Sequence, residues 1–202
     1  MSGVTDMPFR RLVKRAGAGM VISEMIASRA MIHAARKTMK MATHCADEHP
    51  IAVQLAGCEP DVMAEAARLN EARGASIIDI NMGCPVKKVT SGDAGSALMR
   101  DEALAAKLLE ATVKAVKVPV TLKMRTGWDD KSRNAPKIAK IADVPTFVGV
   151  ACSCPVGVQV SRHLSRIYRE IYLGSPDFKA FISIYLRLTF AGNLGICRKD
   201  CR

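Results

Sequence analysis

Short apolar runs alternate with longer segments of helical spacing through the first two thirds of the chain. Ile51–Leu55, Ser76–Ile80 and Val118–Lys123 read as strands, and Val21–Ser23 as a further one. Between the first two, Pro60–Arg73 sets Val62, Ala66 and Leu69 at helical intervals, and Gly74 supplies a stop signal. Asp101 is placed to cap a helix that runs to about Lys117, with Leu104, Leu108, Ala111 and Ala115 on one face and Pro119 beyond its end. A helix from about Pro8 to Ala16, capped by Asp6, precedes Val21 and is followed by Gly17 and Gly19. Repeated strand, helix, strand units predict a parallel sheet. Periodicity does not choose between an open doubly wound sheet and a (β/α)8 barrel.

Polar residues gather just after the strand ends: Ser23 and Glu24, Gln54, Asn81 with Cys84, and Lys123 with Arg125. Both parallel architectures build their sites there. The richest stretch runs from Ile77 to Leu98, where Asp79 and Asn81 alternate with Ile78 and Ile80 before Gly83, Cys84 and Pro85. Lys87 and Lys88 follow closely, able to lower the pKa of a thiol or to hold a phosphate. Read on spacing alone, Cys84 is equally a packed loop thiol beside two solvated lysines. Lys123 and Arg125 share one side of a strand end and can bind an anion or pair with Asp129, Asp130 or Glu24. Gln54 carries an amide that donates and accepts at once, suited to a planar ring edge. Trp128 is placed to stack or to pack.

Composition narrows the class. Hydrophobic residues make up 49% and charged residues 24%, a globular balance. Apolar runs stay short of the ~20 residues of a membrane span, and the opening residues carry no signal-peptide core, so a cytoplasmic protein is expected. The net charge of +11 suits an anionic partner such as RNA. Seven cysteines without regular spacing do not make a disulfide framework, and the histidines show no ligand spacing, so no metal is expected. Composition also breaks near residue 143. All eleven methionines precede it, whereas seven of the nine aromatic residues follow it. Residues 1–143 are therefore expected to form one unit. Residues 144–202 are expected to be an atypical tail, frame-shifted or disordered, with basic helices over Val160–Leu188 as the alternative.

Taken together, the motifs resemble the tRNA-dihydrouridine synthases. The family's opening PMAGVTDxPFR stands here as MSGVTDMPFR from Met1 to Arg10, and its VQLAG as Val53–Gly57. Its signature DINMGCPxKKV is intact from Asp79 to Val89, AGSAL follows from Ala94 to Leu98, and LKMRTGWD spans Leu122–Asp129. The resemblance implies an FMN-dependent (β/α)8 TIM barrel that reduces the 5,6 double bond of uridine in tRNA, with NADPH as reductant. It implies Met1 and Ser2 beneath the flavin, Gln54 and Lys123 on its ring, Asn81 and Arg125 on the uracil, and Cys84 as proton donor. An acid must arrive protonated, so Lys87 and Lys88 are then expected on RNA phosphates.

The stretch carries no first strand, HGRT-like motif, glycine-rich phosphate loops or helical RNA-binding domain of that family. The expectation is an incomplete barrel, about the first half to two thirds, with low stability on its own and activity in doubt. A monomer is expected. The alternatives are another FMN barrel acting on small pyrimidines and a non-catalytic RNA-binding fragment.

Overall fold

The computed structural model describes residues 3–142 and the backbone of residues 147–152. Helix α1 (Met7–Arg15) opens with Asp6 accepting the Phe9 N–H at 3.1 Å, so the expected cap is in place. Then come β1 (Val21–Ile22), β2 (Ile26–Ala27), α2 (Ser28–Ile32), α3 (Arg36–Ala42) and β3 (Ile51–Ala56). After these follow α4 (Pro60–Ala72), β4 (Ile77–Met82), the short α5 (Lys87–Thr90), α6 (Glu102–Ala115), β5 (Val120–Met124), α7 (Ala135–Ala142) and β6 (Phe147–Cys152).

All strand pairs among the described residues are parallel, in the order β1-β3-β4-β5-β6, with β2 also on β3. A doubly wound sheet reverses its strand order and puts helices on both faces. Here the order climbs monotonically and α4 packs beside α6 and α6 beside α7, which is the wall of an incomplete (β/α) barrel. The sheet continues past residue 143, since β6 pairs with β5 from Val120–Phe147 to Met124–Cys152. The rest of the expected tail, residues 153–202, lies outside the described residues.

The two faces of the sheet differ in chemistry. Val53, Leu55, Ile78, Ile80, Met82, Val120, Leu122 and Met124 join the helices in one buried core. The opposite face is apolar only at the strand starts, where Met20, Ala52 and Ile77 cluster with Ile22. Toward the strand ends that face becomes Gln54, Asp79, Asn81, Thr121 and Lys123.

Two helices lie rotated from the faces that spacing suggested. In α4 the buried stripe is Met63, Ala64, Ala66, Ala67 and Asn70, while Leu69 is 38% exposed. In α6 it is Ala105, Leu108, Leu109 and Thr112, with Leu104 at the margin. Alanines make up much of the buried stripe of α4, and α4 and α6 lie in contact. Asp101 caps α6 through the Leu104 N–H at 2.9 Å. The helix stops at Ala115, and Glu71 on α4 then takes the N–H groups of Lys117 and Val118 at 2.7 and 2.9 Å.

One buried ion pair ties the amino-terminal helix to the barrel wall. Arg10, 2% exposed, donates to Glu48 at 2.5 Å and to the carbonyls of Thr5 and Thr43 at 2.7 and 2.8 Å. Glu48 also accepts the Cys45 N–H at 2.7 Å. Replacing Arg10 by Met leaves that carboxylate buried and unpaired, and should lower unfolding free energy by about 3–5 kcal/mol. Adding Glu48→Gln, which keeps an acceptor for Cys45, should recover most of the loss in urea titrations.

Candidate functional site

The polar row at the strand ends is organised by hydrogen bonds whose direction can be deduced. The N–H groups of Gly83 and Cys84 both reach Asn81 Oδ1, at 3.0 and 2.9 Å. A backbone N–H can only donate, so the Asn81 oxygen faces them and its Nδ2 must point away. That nitrogen donates to Gln54 Oε1 at 2.9 Å, which leaves Gln54 Nε2 to donate to Asp79 Oδ2 at 2.6 Å. Thr121 donates its hydroxyl to the other Asp79 oxygen, also at 2.6 Å. Gln54, Asp79 and Asn81 are all buried, and all are satisfied, as buried polar side chains must be.

Cys84 sits at the upper end of this row, half-buried, on the turn leaving β4. Its carbonyl accepts the Ser96 N–H at 3.0 Å, which brings the segment 94–98 back over the turn. Gly95 makes that approach possible. Its φ is +62°, and a Cβ there would lie 2.7 Å from the Cys84 carbonyl oxygen and 2.9 Å from Val89. Arg125 lies against the same turn, its Cγ 3.5 Å from where a Gly83 Cβ would stand. Lys87 and Lys88 begin α5 and are exposed.

Lys123 is level with Asn81 across the β4–β5 ladder and half-buried. The surface-pair reading of the two cations is not what the structure places. Asp129 instead takes the N–H groups of Lys131 and Ser132, and Asp130 pairs with Arg133. Glu24 accepts the N–H groups of Gly3 and Thr5 at 2.5 and 2.6 Å. No ion pair among the described residues includes Lys123 or Arg125. Met1 and Ser2 lie outside the described residues, although Glu24 anchors the loop just after them. Trp128 packs against the core with the Arg100 guanidinium 4.4 Å from its ring centre.

Thr121 escaped the sequence reading, whereas Asp79 and Ser23 were noted there without their parts as the base of the row and its support. Ser23 interrupts the ladder between β1 and β2, where its hydroxyl accepts the Gln54 N–H at 3.0 Å and donates to the Glu24 carbonyl at 2.8 Å. The alternation of Asp79 with buried isoleucines was the available signal. The residues present also suit an electron-rich ring. After its internal hydrogen bonds Gln54 retains one N–H and one lone pair, and Lys123 contributes an ammonium group on the same face. Among the described residues no cluster of three metal-ligating side chains occurs, and no helix is long and apolar enough to cross a membrane.

Burial raises the Asp79 carboxyl pKa above its ordinary 3.8, opposed by the hydrogen bonds from Thr121 and Gln54 and by the nearby Lys123 charge. Folding therefore favours the protonated form, so the stability this group contributes is full below 3.8 and is lost as pH climbs through the raised value. Asp79→Asn, which can accept from Gln54 and donate to Thr121, should raise the urea midpoint at neutral pH. The advantage should shrink as the medium is acidified toward the ordinary carboxylate range.

A family model described as "Dihydrouridine synthase (Dus)" matches residues 1–144. A Rickettsia bellii protein named "Probable tRNA-dihydrouridine synthase" is 65% identical over 180 residues, covering 89% of this chain and 52% of its own length. The tRNA-dihydrouridine synthase B of Xanthomonas axonopodis pv. citri is 58% identical over 184 residues, covering 91% and 52% respectively. That of Pseudomonas aeruginosa is 46% identical over 184 residues with the same coverage, 91% and 52%. The chain spans about half the length of the curated relatives it matches, and these three alignments extend beyond the family model's end. With the intact signature folded around Cys84 and a match over most of the chain, the protein belongs to the dihydrouridine synthase family.

Proposed function

We propose that this chain supplies the amino-terminal part of the catalytic barrel of an FMN-dependent tRNA-dihydrouridine synthase, with Cys84 as the proton donor. The observation that carries the reading is the Asn81 side chain, which holds the Cys84 backbone at the strand ends while its own amide joins the row formed with Gln54 and Asp79. A thiol mounted this way is oriented from below by the sheet and from above by Gly95 and Ser96.

When bound, reduced FMN supplies the hydride that reaches carbon 6 of the uracil, with NADPH as the reductant that renews it. Gln54 and Lys123 hold the flavin ring, Lys123 offsetting its negative charge. By the family resemblance, Met1 and Ser2 would help to hold it. Asn81 and Arg125 orient the uracil, and Arg125 stabilises negative charge developing on the pyrimidine. Cys84 breaks its S–H bond as the carbon 5 C–H bond forms, leaving a thiolate that must be reprotonated before the next turnover. Lys87 and Lys88 hold phosphates of tRNA, which compensates part of the few kcal/mol needed to unstack the target base. The enzyme is assigned to the cytoplasm, with no metal ligands in its site, and acts as a monomer on its tRNA.

The test is a chimera in which residues 3–142 of this chain replace the matching segment of the Rickettsia bellii protein. Expressed in cells lacking their own dihydrouridine synthases, it should restore dihydrouridine to tRNA, and Cys84→Ala should slow formation by about 10²–10⁴-fold. An active chimera indifferent to that change would refute the assignment of Cys84. Lys87→Ala with Lys88→Ala should raise KM for tRNA with little change in kcat, and should flatten the dependence of log affinity on log salt by nearly two units. Lys123→Met should weaken FMN binding in fluorescence titrations.

A further inference from the structure

Asp79 has no role in the chemistry proposed above, yet it ends the hydrogen-bond path that starts at the Cys84 N–H. Reversing the Gln54 amide would set its NH2 against the Asn81 NH2 and its oxygen against the Asp79 carboxylate. Restoring a donor–acceptor match at Asn81 would then require that side chain to turn as well, withdrawing its oxygen from the N–H groups of Gly83 and Cys84. The path is therefore fixed at both ends, by backbone donors above and by a group that accepts at both oxygens below.

The carboxylate is itself held from two strands. Thr121 stands opposite Asp79 in the β4–β5 register and donates to one oxygen, while Gln54, opposite it in the β3–β4 register, donates to the other. At 5% exposure Asp79 occupies a position where a neutral residue would pack at lower electrostatic cost. Its orientation of neighbours is what such a residue would not reproduce unless it too accepted from Gln54.

We propose that Asp79, seated by Thr121, is a positioning residue that fixes the amide orientations of Gln54 and Asn81 and thereby the placement of the Cys84 thiol. The inference rests on the proposed function for the thiol's purpose, but its test reads thiol placement and not turnover.

The experiment measures alkylation of Cys84 by iodoacetamide in the 202-residue chain, read by peptide mass spectrometry, with half-buried Cys45 and Cys58 as internal references. Asp79→Leu keeps the branching at Cγ, with two methyl groups in place of the carboxylate oxygens, and removes the acceptor. Gln54→Met cuts the path one step higher. Each should speed Cys84 alkylation by about tenfold, the change expected when one buried hydrogen bond is lost, with the two reference cysteines unchanged. Asp79→Asn, which still accepts from Gln54, should restore the parent rate. An unchanged Cys84 rate in Asp79→Leu, a parallel rise at all three cysteines, or failure of Asp79→Asn to restore the rate would each overturn the proposal. Should Asp79→Leu not fold, a parent-like Cys84 rate in Gln54→Met overturns it equally. A chimera that forms no dihydrouridine would defeat the proposed reaction and leave this result standing.

Discussion

A backbone N–H cannot be turned round, and that fact, with the Asp79 carboxylate at the other end of the path, organises the inner face of this barrel wall. Two such groups, from Gly83 and Cys84, present themselves to one Asn81 oxygen. Every amide below must then fall into step, from Asn81 to Gln54 to the carboxylate of Asp79. Side-chain amides are ambiguous when considered one at a time. Joined to an unambiguous donor, they become a directed chain across two strands, β4 and β3.

The same sheet divides its labour along its length. At the strand starts the inner face is sealed by Met20, Ala52, Ile77 and Ile22, and at the strand ends it carries charge and hydrogen-bonding groups. The apolar layer excludes water from beneath the polar row, and the low dielectric there strengthens each bond in it while raising the cost of ionising Asp79. Lys123 partly offsets that cost.

Local sequence carried the parts of the fold that depend on neighbours in the chain. The caps at Asp6 and Asp101, the strand at Ile51–Ala56 and the strand bearing Asp79 and Asn81 follow from turn chemistry and alternation. What spacing could not show was which way a helix is rolled. Leu69 satisfies helical periodicity yet is 38% exposed, while Met63, Ala64, Ala66, Ala67 and Asn70 form the buried stripe of α4. Pairings distant in sequence were equally hidden: Arg10 with Glu48, Gln54 with Asp79, and Glu71 with the chain beyond α6. Motif resemblance identified Gln54, Asn81, Cys84, Lys123 and Arg125 as members of one site. Only the strand register explains how the first three are connected, since Asp79 lies opposite Gln54 on one side and Thr121 on the other.

The close approach of Gly95 to the Cys84 carbonyl has a bearing on how this loop can diversify. Pro85 to Lys88 is solvent-exposed, so residues there can be exchanged, or the loop lengthened, without disturbing the strand beneath. The closing end has no such latitude, because any side chain at position 95 would push on the peptide that carries the sulfur. Sequence variation is thereby channelled into the loop's outer arc, while its return limb is held to a single geometry.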